Sequence, residues 1–388
     1  MKLNHNLHLA YSTNIHRGRN WRETLDSLQK YTLAVREQVC PDGWFGIGLR
    51  LGATAAMELS DKKAFLGFQR WLETNSCYVF TINGFPYGQF HGERVKEQVY
   101  LPDWTSPARL EYTNQLFDLL AGLLPAGVEG SISTLPGSFK EFVKTDAHTK
   151  AIRQNLWACL DHVSRVSEKS KRRLHLGLEP EPLCYFENTV ETISFFQRMR
   201  EERKGDSRLD EFLGVNYDCC HFAVEYEEPQ TAIASLQDAG IKISKFHLSS
   251  ALKTVATGEA RAALARFSDD IYLHQVIARG SDGTLKYFRD LPDALAEDSK
   301  LSEWRVHFHV PLHAPAAPPL QNTNDHLLGL FDLLGANPAL CPHLEMETYT
   351  WEVLPPELKS QDVVGQLVAE YRWTLAQLAE RGISPHCS

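Results

Sequence analysis

The sequence has few features of a secreted or membrane protein. Its 388 residues include eight cysteines, of which only Cys219 and Cys220 are close together, and no C-x-x-C motif occurs. This usage excludes a disulfide framework. The N-terminus shows no charged-then-apolar leader, and no apolar run approaches the roughly 18 residues that a membrane span needs. We therefore expect a reduced, cytoplasmic setting without a membrane span.

Clustered basic residues are also absent. The formal net charge is −9, and no long run of Lys and Arg occurs. Duplex DNA needs clustered positive charge for its phosphate contacts, so this balance argues against a nucleic-acid partner. With 43% apolar residues and 10% aromatics the chain can bury a large core. We find no domain linker and expect a single domain over 1–388, with which an oligomer is compatible.

The glycine-rich phosphate turn of a doubly wound sheet is missing as well. That turn usually follows the first strand, whereas the sequence there reads Tyr-Ser-Thr-Asn-Ile-His-Arg-Gly (11–18). Apolar, β-rich runs alternate with amphipathic helical patterns, which predicts a parallel sheet. We therefore predict a (β/α)8 TIM barrel, with a doubly wound open sheet as the alternative. The helical patterns are 21–28, 108–120, 151–160 and 363–375.

Ten segments have the composition of strands, which is two more than the barrel holds. We predict that two of them, 272–279 and 304–310, form an accessory pair in an insertion of about 251–320 after the seventh barrel strand. Residues 251–300 favour this because they are polar and rich in turns. The ten segments are 7–13, 44–51, 77–84, 128–135, 173–180, 213–218, 241–248, 272–279, 304–310 and 343–349.

Four of these strands end in residue types that bind metal ions. At the C-terminal end of each stands a carboxylate or an imidazole, and in a βα barrel these ends meet at one mouth. The pattern predicts a single divalent ion, and the donors suit Mn, Co, Zn, Fe or Mg. The four stretches are Leu-Gly-Leu-Glu-Pro-Glu-Pro (176–182), Val-Asn-Tyr-Asp-Cys-Cys-His (215–221), Lys-Phe-His-Leu-Ser-Ser (245–250) and His-Leu-Glu-Met-Glu-Thr (343–348).

Glu179 and Glu181 follow the fifth strand, and the prolines at 180 and 182 end that strand. One glutamate is expected to point into the barrel mouth and the other to sit just above it. We assign Glu179 as a metal ligand and Glu181 as a catalytic group, although the two roles are interchangeable at this point. The alternative is a pair of solvated carboxylates in a loop.

Asp218 and His221 form a D-x-x-H pair at the end of the sixth strand. Asp218 is predicted to bind the ion, with His221 beside it as a second ligand or a substrate contact. The alternative is an N-capping Asp with an unrelated His. His247 ends the seventh strand and is predicted to be a ligand, the alternative being a hydrogen-bonded structural residue.

Glu345 and Glu347 alternate in the last strand and should share a face. Two carboxylates facing a core are costly unless they are paired or bind a cation. We predict that Glu345 binds the ion and that Glu347 acts on a proton, again with interchangeable roles. His307 and His309 form an H-x-H pair with the spacing of metal ligands. They predict a second ion, or else a polar strand of the accessory pair.

The first half of the chain offers candidates for substrate contacts. Three candidates lie near the ends of the first and third strands: His16, Asn83 and His91. Arg50 ends the apolar run Phe-Gly-Ile-Gly-Leu (45–49). The barrel mouth is where such contacts would come from.

The order Glu, Asp-x-x-His, His, Glu on strands five to eight resembles the xylose-isomerase-like TIM-barrel superfamily. The matching positions are Leu178-Glu179-Pro180, Asp218 with His221, His247 and Glu345. The superfamily includes sugar and sugar-phosphate isomerases and epimerases, and a zinc-dependent DNA-repair endonuclease. The H-x-H of His307 and His309 resembles the D-x-H that supplies a further zinc in the endonuclease branch.

The whole chain is similar to the EboE family of bacterial "metabolite traffic" proteins. The segments that carry this similarity include Tyr-Ser-Thr-Asn-Ile-His (11–16) and Glu-Met-Glu-Thr-Tyr-Thr-Trp (345–351). The resemblance gives the bacterial setting and the pathway context, but not the reaction.

The superfamily resemblance implies a metal-dependent enzyme that isomerises or epimerises a sugar, sugar phosphate or cyclitol. The ion would hold adjacent substrate oxygens and polarise a carbonyl. Carboxylates on opposite sides, Glu181 and Glu347, would remove and return a proton at the next carbon. His221 would hold a substrate hydroxyl. A metal-dependent phosphoester hydrolase and a non-catalytic metabolite carrier are the alternatives.

Overall fold

Thirteen strands are present in the computed structural model, which describes residues 1–386 except 93, 298–302, 315, 357, 358 and 360. In chain order they are β1 (His8–Tyr11), β2 (Phe45–Arg50), β3 (Cys77–Asn83), β4 (Gly130–Thr134), β5 (Leu174–Leu178), β6 (Leu213–Asp218), β7 (Lys242–Leu248), β8 (Leu252–Val255), β9 (Val276–Arg279), β10 (Leu285–Phe288), β11 (Glu303–Val306), β12 (Gln321–Asn322) and β13 (His343–Met346).

The described residues also form fourteen α-helices, and the four predicted helical patterns overlap α1, α5, α6 and α14, the first of them extending one residue beyond α1. In chain order the helices are α1 (Trp21–Ser27), α2 (Leu33–Val39), α3 (Ala53–Leu59), α4 (Lys62–Thr74), α5 (Pro107–Leu123), α6 (Asp146–Ser170), α7 (Thr189–Glu202), α8 (Arg208–Phe212), α9 (Cys219–Val224), α10 (Pro229–Asp238), α11 (Gly258–Leu264), α12 (Leu291–Ala296), α13 (Asn324–Ala336) and α14 (Val363–Ala379). None of these helices is long and apolar enough to cross a membrane.

Eight of the strands form one parallel sheet in the order β1-β13-β7-β6-β5-β4-β3-β2. A parallel bridge between Ser12 and Gly48 joins the first and second strands, so the sheet closes into a barrel. Apart from Lys242 at the start of β7, every residue of these strands is buried. Burial on both faces explains the nearly continuous apolar runs in the sequence, since helices cover the outside. The predicted TIM barrel is confirmed.

The segment between β7 and β13 carries a second sheet, which is antiparallel and has the strand order β10-β9-β11-β8-β12. The predicted pair appears in it as β9 and β11, which are direct neighbours with Trp304 opposite Ala278. Three short strands not predicted from the sequence extend this pair. The sheet has its own apolar cluster around Leu252, Val276 and Trp304. Residues 298–302 and 315 of the predicted insertion lie outside the described residues.

Two predicted strands end earlier than expected, and both differences place side chains at the barrel mouth. The strand predicted at 304–310 stops at Val306, so His307 and His309 lie beyond it. There the backbone N–H of Val310 donates to Ser250 O, at 2.9 Å, rather than to a strand of the accessory sheet. The strand predicted at 343–349 stops at Met346, one residue before Glu347.

Candidate metal centre

Three predicted ligands, Glu179, Asp218 and His247, come together with Glu347, which the sequence analysis assigned to proton transfer. His247 Nδ1 lies 2.9 Å from Glu179 Oε1, 3.4 Å from Asp218 Oδ2 and 3.1 Å from Glu347 Oε2. One donor atom from each of the four residues lies within 4.8 Å of the other three. These residues come from the C-terminal ends of β5, β6, β7 and β13, where a βα barrel places its site. We call them the four-donor group.

In Asp218 and in Glu347, one carboxylate oxygen accepts hydrogen bonds from neighbouring groups, and the other oxygen faces His247. Asp218 Oδ1 accepts hydrogen bonds from the His221 N–H, at 3.1 Å, and from Ser249 Oγ, at 2.6 Å. Asp218 therefore caps α9, as the alternative interpretation held, and still presents Oδ2 to the group. Glu347 Oε1 accepts from Asn14 Nδ2 at 2.7 Å and from Asn83 Nδ2 at 2.9 Å.

The polar atoms of the group fit a cation. Glu179 Oε2 and Asp218 Oδ2 are buried and have no hydrogen-bond partner. Burying a charged oxygen without a partner is expensive unless a cation balances it. Burial opposes the charge on His247, but the carboxylates of Glu347 and Glu179 hold its pKa well above the usual value. One imidazole nitrogen and several carboxylate oxygens form a donor set that divalent transition metals accept.

Glu345 lies outside the four-donor group and is paired with two other residues. Its Oε2 accepts from Lys245 Nζ and from His247 Nε2, the latter at 2.9 Å. Burial alone would raise its pKa, but the ammonium of Lys245 lowers the pKa of Glu345 to about 2. Gly48 of β2 makes room for this carboxylate, because a Cβ there would overlap Glu345 Oε1. Glu345 thus fixes the His247 ring and leaves Nδ1 for the group.

A second set of imidazoles lies beside the four-donor group. His307 Nε2 is 3.1 Å from His221 Nε2 and 3.3 Å from His309 Nε2. All three side chains are buried. Burial lowers the pKa of His221 to about 4 and that of His307 well below its usual value. The structure thus brings the H-x-H pair to the same mouth as His221, and we call these three residues the histidine set.

Glu181 faces the cleft between these two sets. Its Oε1 accepts from the Tyr100 hydroxyl at 2.7 Å and lies 3.6 Å from His307 Nδ1. Burial, assisted by the nearby charges of Glu179 and Asp218, raises the pKa of Glu181 to about 8.

The cleft above the site is narrow, with a cavity volume of about 50 Å³. Aromatic and apolar side chains cover it. Of the four substrate contacts predicted in the first half of the chain, Asn83 lines the cleft. The residues that line it are Asn14, Asn83, Phe85, Pro86, Phe90, Val95, Lys96, Val99, Tyr100, Glu179, Glu181, His221, Tyr272, Leu273, His307, Glu347 and Tyr349.

The other three predicted substrate contacts bond to the protein itself. His16 Nε2 lies 2.9 Å from the Tyr11 hydroxyl. His91 bonds to the Tyr272 hydroxyl at 2.5 Å. The guanidinium of Arg50 donates to Gly18 O at 3.0 Å and to Gly88 O. These side chains hold the loops around the mouth, and their contact with a substrate stays a prediction.

Several residues of the site were not predicted from the sequence. Lys245 could have been found, since it stands two residues before His247 and so faces the same side of the strand. Asn14, Tyr100 and Gln275 come from loops and short turns far apart in the chain. No local pattern brings those three residues together.

Comparisons with known proteins find a similarity of fold. No protein-family profile matches the chain, and its sequence matches no curated protein. Three solved structures share its architecture. A probable 3-DHS dehydratase, AsbF, from Bacillus anthracis is 12% identical, with a TM-score of 0.50, and the match covers 95% of this chain and 98% of that one.

The other two similar structures are epimerases. An L-ribulose 3-epimerase is 13% identical, with a TM-score of 0.51 and coverage of 98% and 96%. A D-psicose 3-epimerase from Clostridium cellulolyticum H10, solved with D-tagatose, is 12% identical, with a TM-score of 0.51 and coverage of 96% and 99%. At these identities the likeness shows a shared fold, the TIM barrel.

Proposed function

We propose that the chain is a divalent-metal-dependent enzyme that isomerises or epimerises a small polyhydroxylated compound by moving a proton next to a carbonyl. The substrate class is a sugar, sugar phosphate or cyclitol. The observation that carries the proposal is the four-donor group, in which three carboxylates surround His247 Nδ1 within 2.9–3.4 Å. A bound cation would balance the charge of these buried carboxylates.

Glu179, Asp218, His247 and Glu347 would hold the ion, which the donor types limit to Mn, Co, Zn or Mg. This choice makes Glu347 rather than Glu345 the ligand, because Glu345 is committed to Lys245, and Glu347 also keeps its sequence-based role in proton transfer. A bound divalent ion supplies a Lewis acid that holds adjacent substrate oxygens and polarises a carbonyl.

Glu181 and Glu347 are the carboxylates suited to proton transfer, since both line the cleft. Glu181 is held by Tyr100, and Glu347 by two side-chain amides. One would take a proton from the carbon beside the carbonyl, and the other would return it from the opposite side. His221 donates its Nδ1–H to Pro180 O, so its Nε2 can accept a hydrogen bond from a substrate hydroxyl.

Two further features support the proposal. Two of the similar structures are 3-epimerases by name, and the third is a probable dehydratase. These names suggest chemistry at a carbon near a hydroxyl or carbonyl, although only the fold is shared. The similarity of 11–16 and 345–351 to the EboE family favours a role in bacterial metabolite biosynthesis or traffic, and this context rests on the sequence alone.

A specific observation favours one other function. The histidine set brings three imidazoles beside the four-donor group, and metal-dependent phosphoester hydrolysis often uses two ions close together. The net charge of −9 disfavours nucleic acid as the substrate, but a small phosphate ester would be compatible.

Deuterium incorporation tests the proposed reaction. The protein, loaded with Mn²⁺, Co²⁺ or Zn²⁺, is incubated in heavy water with ketoses, inososes and related cyclitol ketones. Deuterium should appear at the carbon beside the carbonyl. Glu181→Gln and Glu347→Gln should each lower the rate by about 10²–10⁴-fold, the usual contribution of a general acid or base. Glu129→Gln, at the opposite end of the barrel beside Arg173, is the matched control and should keep the rate.

If these compounds bind the metal-loaded protein but take up no deuterium, the proposal of an enzyme would give way to that of a metabolite carrier. If the protein hydrolyses p-nitrophenyl phosphate and no compound takes up deuterium, the proposal of an isomerase would give way to that of a phosphoester hydrolase.

A further inference from the structure

A cavity of about 580 Å³ lies at the end of the barrel opposite the metal centre. Its wall includes His8 at the start of β1, Trp44 just before β2 and Tyr78 near the start of β3. The same strand β3 reaches the cleft of the metal centre at Asn83, roughly 16 Å further on at about 3.3 Å per residue. The volume is within the roughly 300–1,000 Å³ of ordinary ligand sites.

Buried rings fill the barrel between its two ends. His343 Nδ1 lies 2.7 Å from Ser131 Oγ, on the opposite side of the barrel, so both side chains point inwards. The His343 ring packs against Phe80 and His175, with ring centroids 5.0 and 5.5 Å away. All three rings are buried. The cavity is therefore a separate place in the fold, at an end where βα-barrel residues usually serve stability alone.

His8 supplies a hydrogen-bonding group to this cavity. Its side chain lines the cavity and is only 5% exposed. His8 Nδ1 lies 2.8 Å from the Tyr78 hydroxyl, whereas Nε2 has no hydrogen-bond partner among the described residues. Burial lowers the pKa of His8 to about 3, so the ring is a neutral imidazole at pH 7. A polar group at this depth normally has a partner, and a ligand in the cavity would supply one.

The contact between His8 and Tyr78 limits what that ligand group can be. The Tyr78 hydroxyl can donate to Nδ1 or accept from it. In the first case His8 Nε2 carries the proton and donates to the ligand, and in the second it accepts from the ligand. A hydroxyl group can take either part, whereas a carbonyl or an ether oxygen can only accept.

The rest of the wall favours an apolar, ring-containing molecule. All eight tryptophans are described, and Trp44 alone is exposed, at 53%. Pro41 and Pro125 add further apolar surface to the wall. A bare indole offers a flat face for an aromatic ring. Lys2 and Asp42 are exposed at the rim and have opposite charges, so the rim selects neither an anion nor a cation.

We propose that this end of the barrel binds a neutral, flat, ring-containing molecule that carries a hydroxyl group. The ring would lie against the Trp44 indole, and the hydroxyl would bond to His8 Nε2. The proposal is independent of the proposed function, because it uses no residue of the metal centre.

Equilibrium dialysis with two small probes tests the proposal. The full chain, without a terminal tag because Lys2 and His386 line the cavity, is dialysed at pH 7 against 2-naphthol or 2-methylnaphthalene. The two probes have nearly the same shape, but only 2-naphthol can form hydrogen bonds. We expect both to bind, and Trp44→Ala should weaken both roughly tenfold, since it removes the stacking surface.

His8→Phe separates the two probes. It keeps a ring against Phe80, 5.3 Å away in the unaltered chain, but it removes the nitrogen. We expect the affinity for 2-naphthol to fall about 2–10-fold, the usual worth of one neutral hydrogen bond. The affinity for 2-methylnaphthalene should not fall.

Trp373→Ala is the matched control. It removes a half-buried indole on α14 that packs against Phe331, far from the cavity wall, and both affinities should stay the same. The anion 2-naphthoate should bind no more tightly than 2-naphthol.

Four results would overturn the proposal. They are no binding of 2-naphthol to the unaltered chain, equal binding to Trp44→Ala, an equal loss of both probes in His8→Phe, and tighter binding of 2-naphthoate. A dimer that Trp44→Ala converts to a monomer would also overturn it, since a second copy of the chain would then cover the cavity.

Should circular dichroism show that His8→Phe does not fold, a crystal of the unaltered chain soaked in 2-naphthol takes its place. The naphthol oxygen should lie about 3 Å from His8 Nε2, an ordinary hydrogen-bond distance. A naphthol bound elsewhere, or with its oxygen turned away from His8, would overturn the proposal.

Discussion

Glu370 of α14 is a buried carboxyl outside the metal centre. Its oxygens accept hydrogen bonds from the Thr348 hydroxyl at 2.9 Å and from the Leu312 N–H at 3.2 Å. Both of these partners are neutral. Burial raises the pKa of Glu370 to about 8, although both hydrogen bonds lower it in part. The folded chain therefore keeps the Glu370 proton over a pH range in which the unfolded chain has lost it.

This difference predicts a pH-dependent effect of Glu370→Gln. Below the unfolded pKa, about 4.3, both states are protonated and Glu370 costs nothing. As the pH rises from there to about 8, the unfolded state ionises first, so the free energy of unfolding falls. The amide has no such cost. Its oxygen can accept from the Leu312 N–H, and its NH2 group can donate to the Thr348 hydroxyl. Glu370→Gln should therefore gain stability over the unaltered chain, by on the order of a few kcal/mol between pH 5 and 8.

Urea unfolding of both chains at several pH values measures the difference. Glu111→Gln, an exposed carboxylate on α5, is the control and should show a flat difference. A flat difference for Glu370→Gln would contradict the prediction.

Glu345 and Glu347 should differ in what their loss affects. Glu345→Gln leaves the buried ammonium of Lys245 without its partner, and breaking a buried pair typically costs about 3–5 kcal/mol. Glu347 is held by the neutral amides of Asn14 and Asn83, so Glu347→Gln should cost the metal-free fold little. Its effect should appear instead as a loss of metal affinity.

Unfolding of the metal-free variants and titration calorimetry with Mn²⁺ measure the two effects. We expect Glu345→Gln to lower the free energy of unfolding and to reduce Mn²⁺ affinity only about 10–100-fold, as loss of a supporting residue does. Glu347→Gln should reduce Mn²⁺ affinity more than Glu345→Gln does. The reverse ranking of affinities would make Glu345 the ligand, as the sequence had suggested.

The sequence could predict the strand-end residues but not their depth in the barrel. Alternation placed Glu345 and Glu347 on one face, and both lie inside. Register then decides between them, because Glu345 stands opposite His247 in the ladder and Glu347 lies two residues, roughly 6–7 Å, nearer the mouth. Register between β13 and β7 depends on packing of the whole barrel, so no local pattern encodes it.

Two segments meet over the cleft and hold each other. The backbone N–H groups of Val95 and Lys96 donate to Ile271 O, at 3.0 and 2.9 Å. Lys96 Nζ donates to Asp290 Oδ2 at 2.6 Å and to Asp269 O at 2.8 Å. This clasp joins the loop after β3 to the accessory segment. The cavity beneath it, about 50 Å³, is far smaller than the roughly 300–1,000 Å³ of ordinary ligand sites, so the clasp would have to open for the substrate proposed above.

Lys96→Met should make this opening easier. The Lys96–Asp290 pair is mostly buried, and hydrogen bonds to charged groups contribute about 1.5–3 kcal/mol each. We expect amide hydrogen exchange in 95–100 and 269–273 to rise roughly tenfold or more. Exchange in β6 should not change.

Lys253→Met is the matched control for this exchange experiment. It removes a lysine paired with Asp325 at 2.7 Å, on another strand of the accessory sheet. If both variants raise exchange over the cleft equally, the clasp does not depend on Lys96.

The barrel was predictable at the scale of elements, whereas the accessory sheet was only partly so. Barrel strands are buried on both faces and produce long apolar runs that the sequence shows plainly. In contrast, β10 exposes three of its four residues, and β12 has only two residues. Such strands carry almost no apolar pattern, and they pair because the rest of the sheet is already in place.

At the scale of the whole molecule, the metal centre concentrates negative charge in the barrel. Glu179, Asp218, Glu345 and Glu347 are buried within a few ångströms of one another, against two cations, Lys245 and protonated His247. With all four carboxylates ionised, two negative charges remain uncompensated in a medium of low dielectric constant. The metal-free fold bears this cost. A divalent ion bound at His247 Nδ1 would displace the proton of that ring, and it would therefore lower the excess from two negative charges to one.

Metal binding should therefore stabilise the whole fold. An ion that binds only the folded chain adds about 2.7 kcal/mol at a free concentration of 100 times its Kd. The Tm of the chelator-treated protein should rise steadily with added Mn²⁺ or Zn²⁺, and the rise should continue above saturation because linkage is logarithmic. Differential scanning calorimetry over a range of free metal concentrations measures this rise.

The variant Asp218→Asn, Glu347→Gln supplies the internal comparison for that experiment. Two fewer carboxylates remove the charge excess, so its metal-free Tm should equal or exceed that of the unaltered chain. Its response to Mn²⁺ should be lost, since too few anionic ligands remain in the four-donor group. A metal-free variant that melts well below the unaltered chain would mean that these carboxylates stabilise the fold without an ion, and the metal centre would lose its main physical argument.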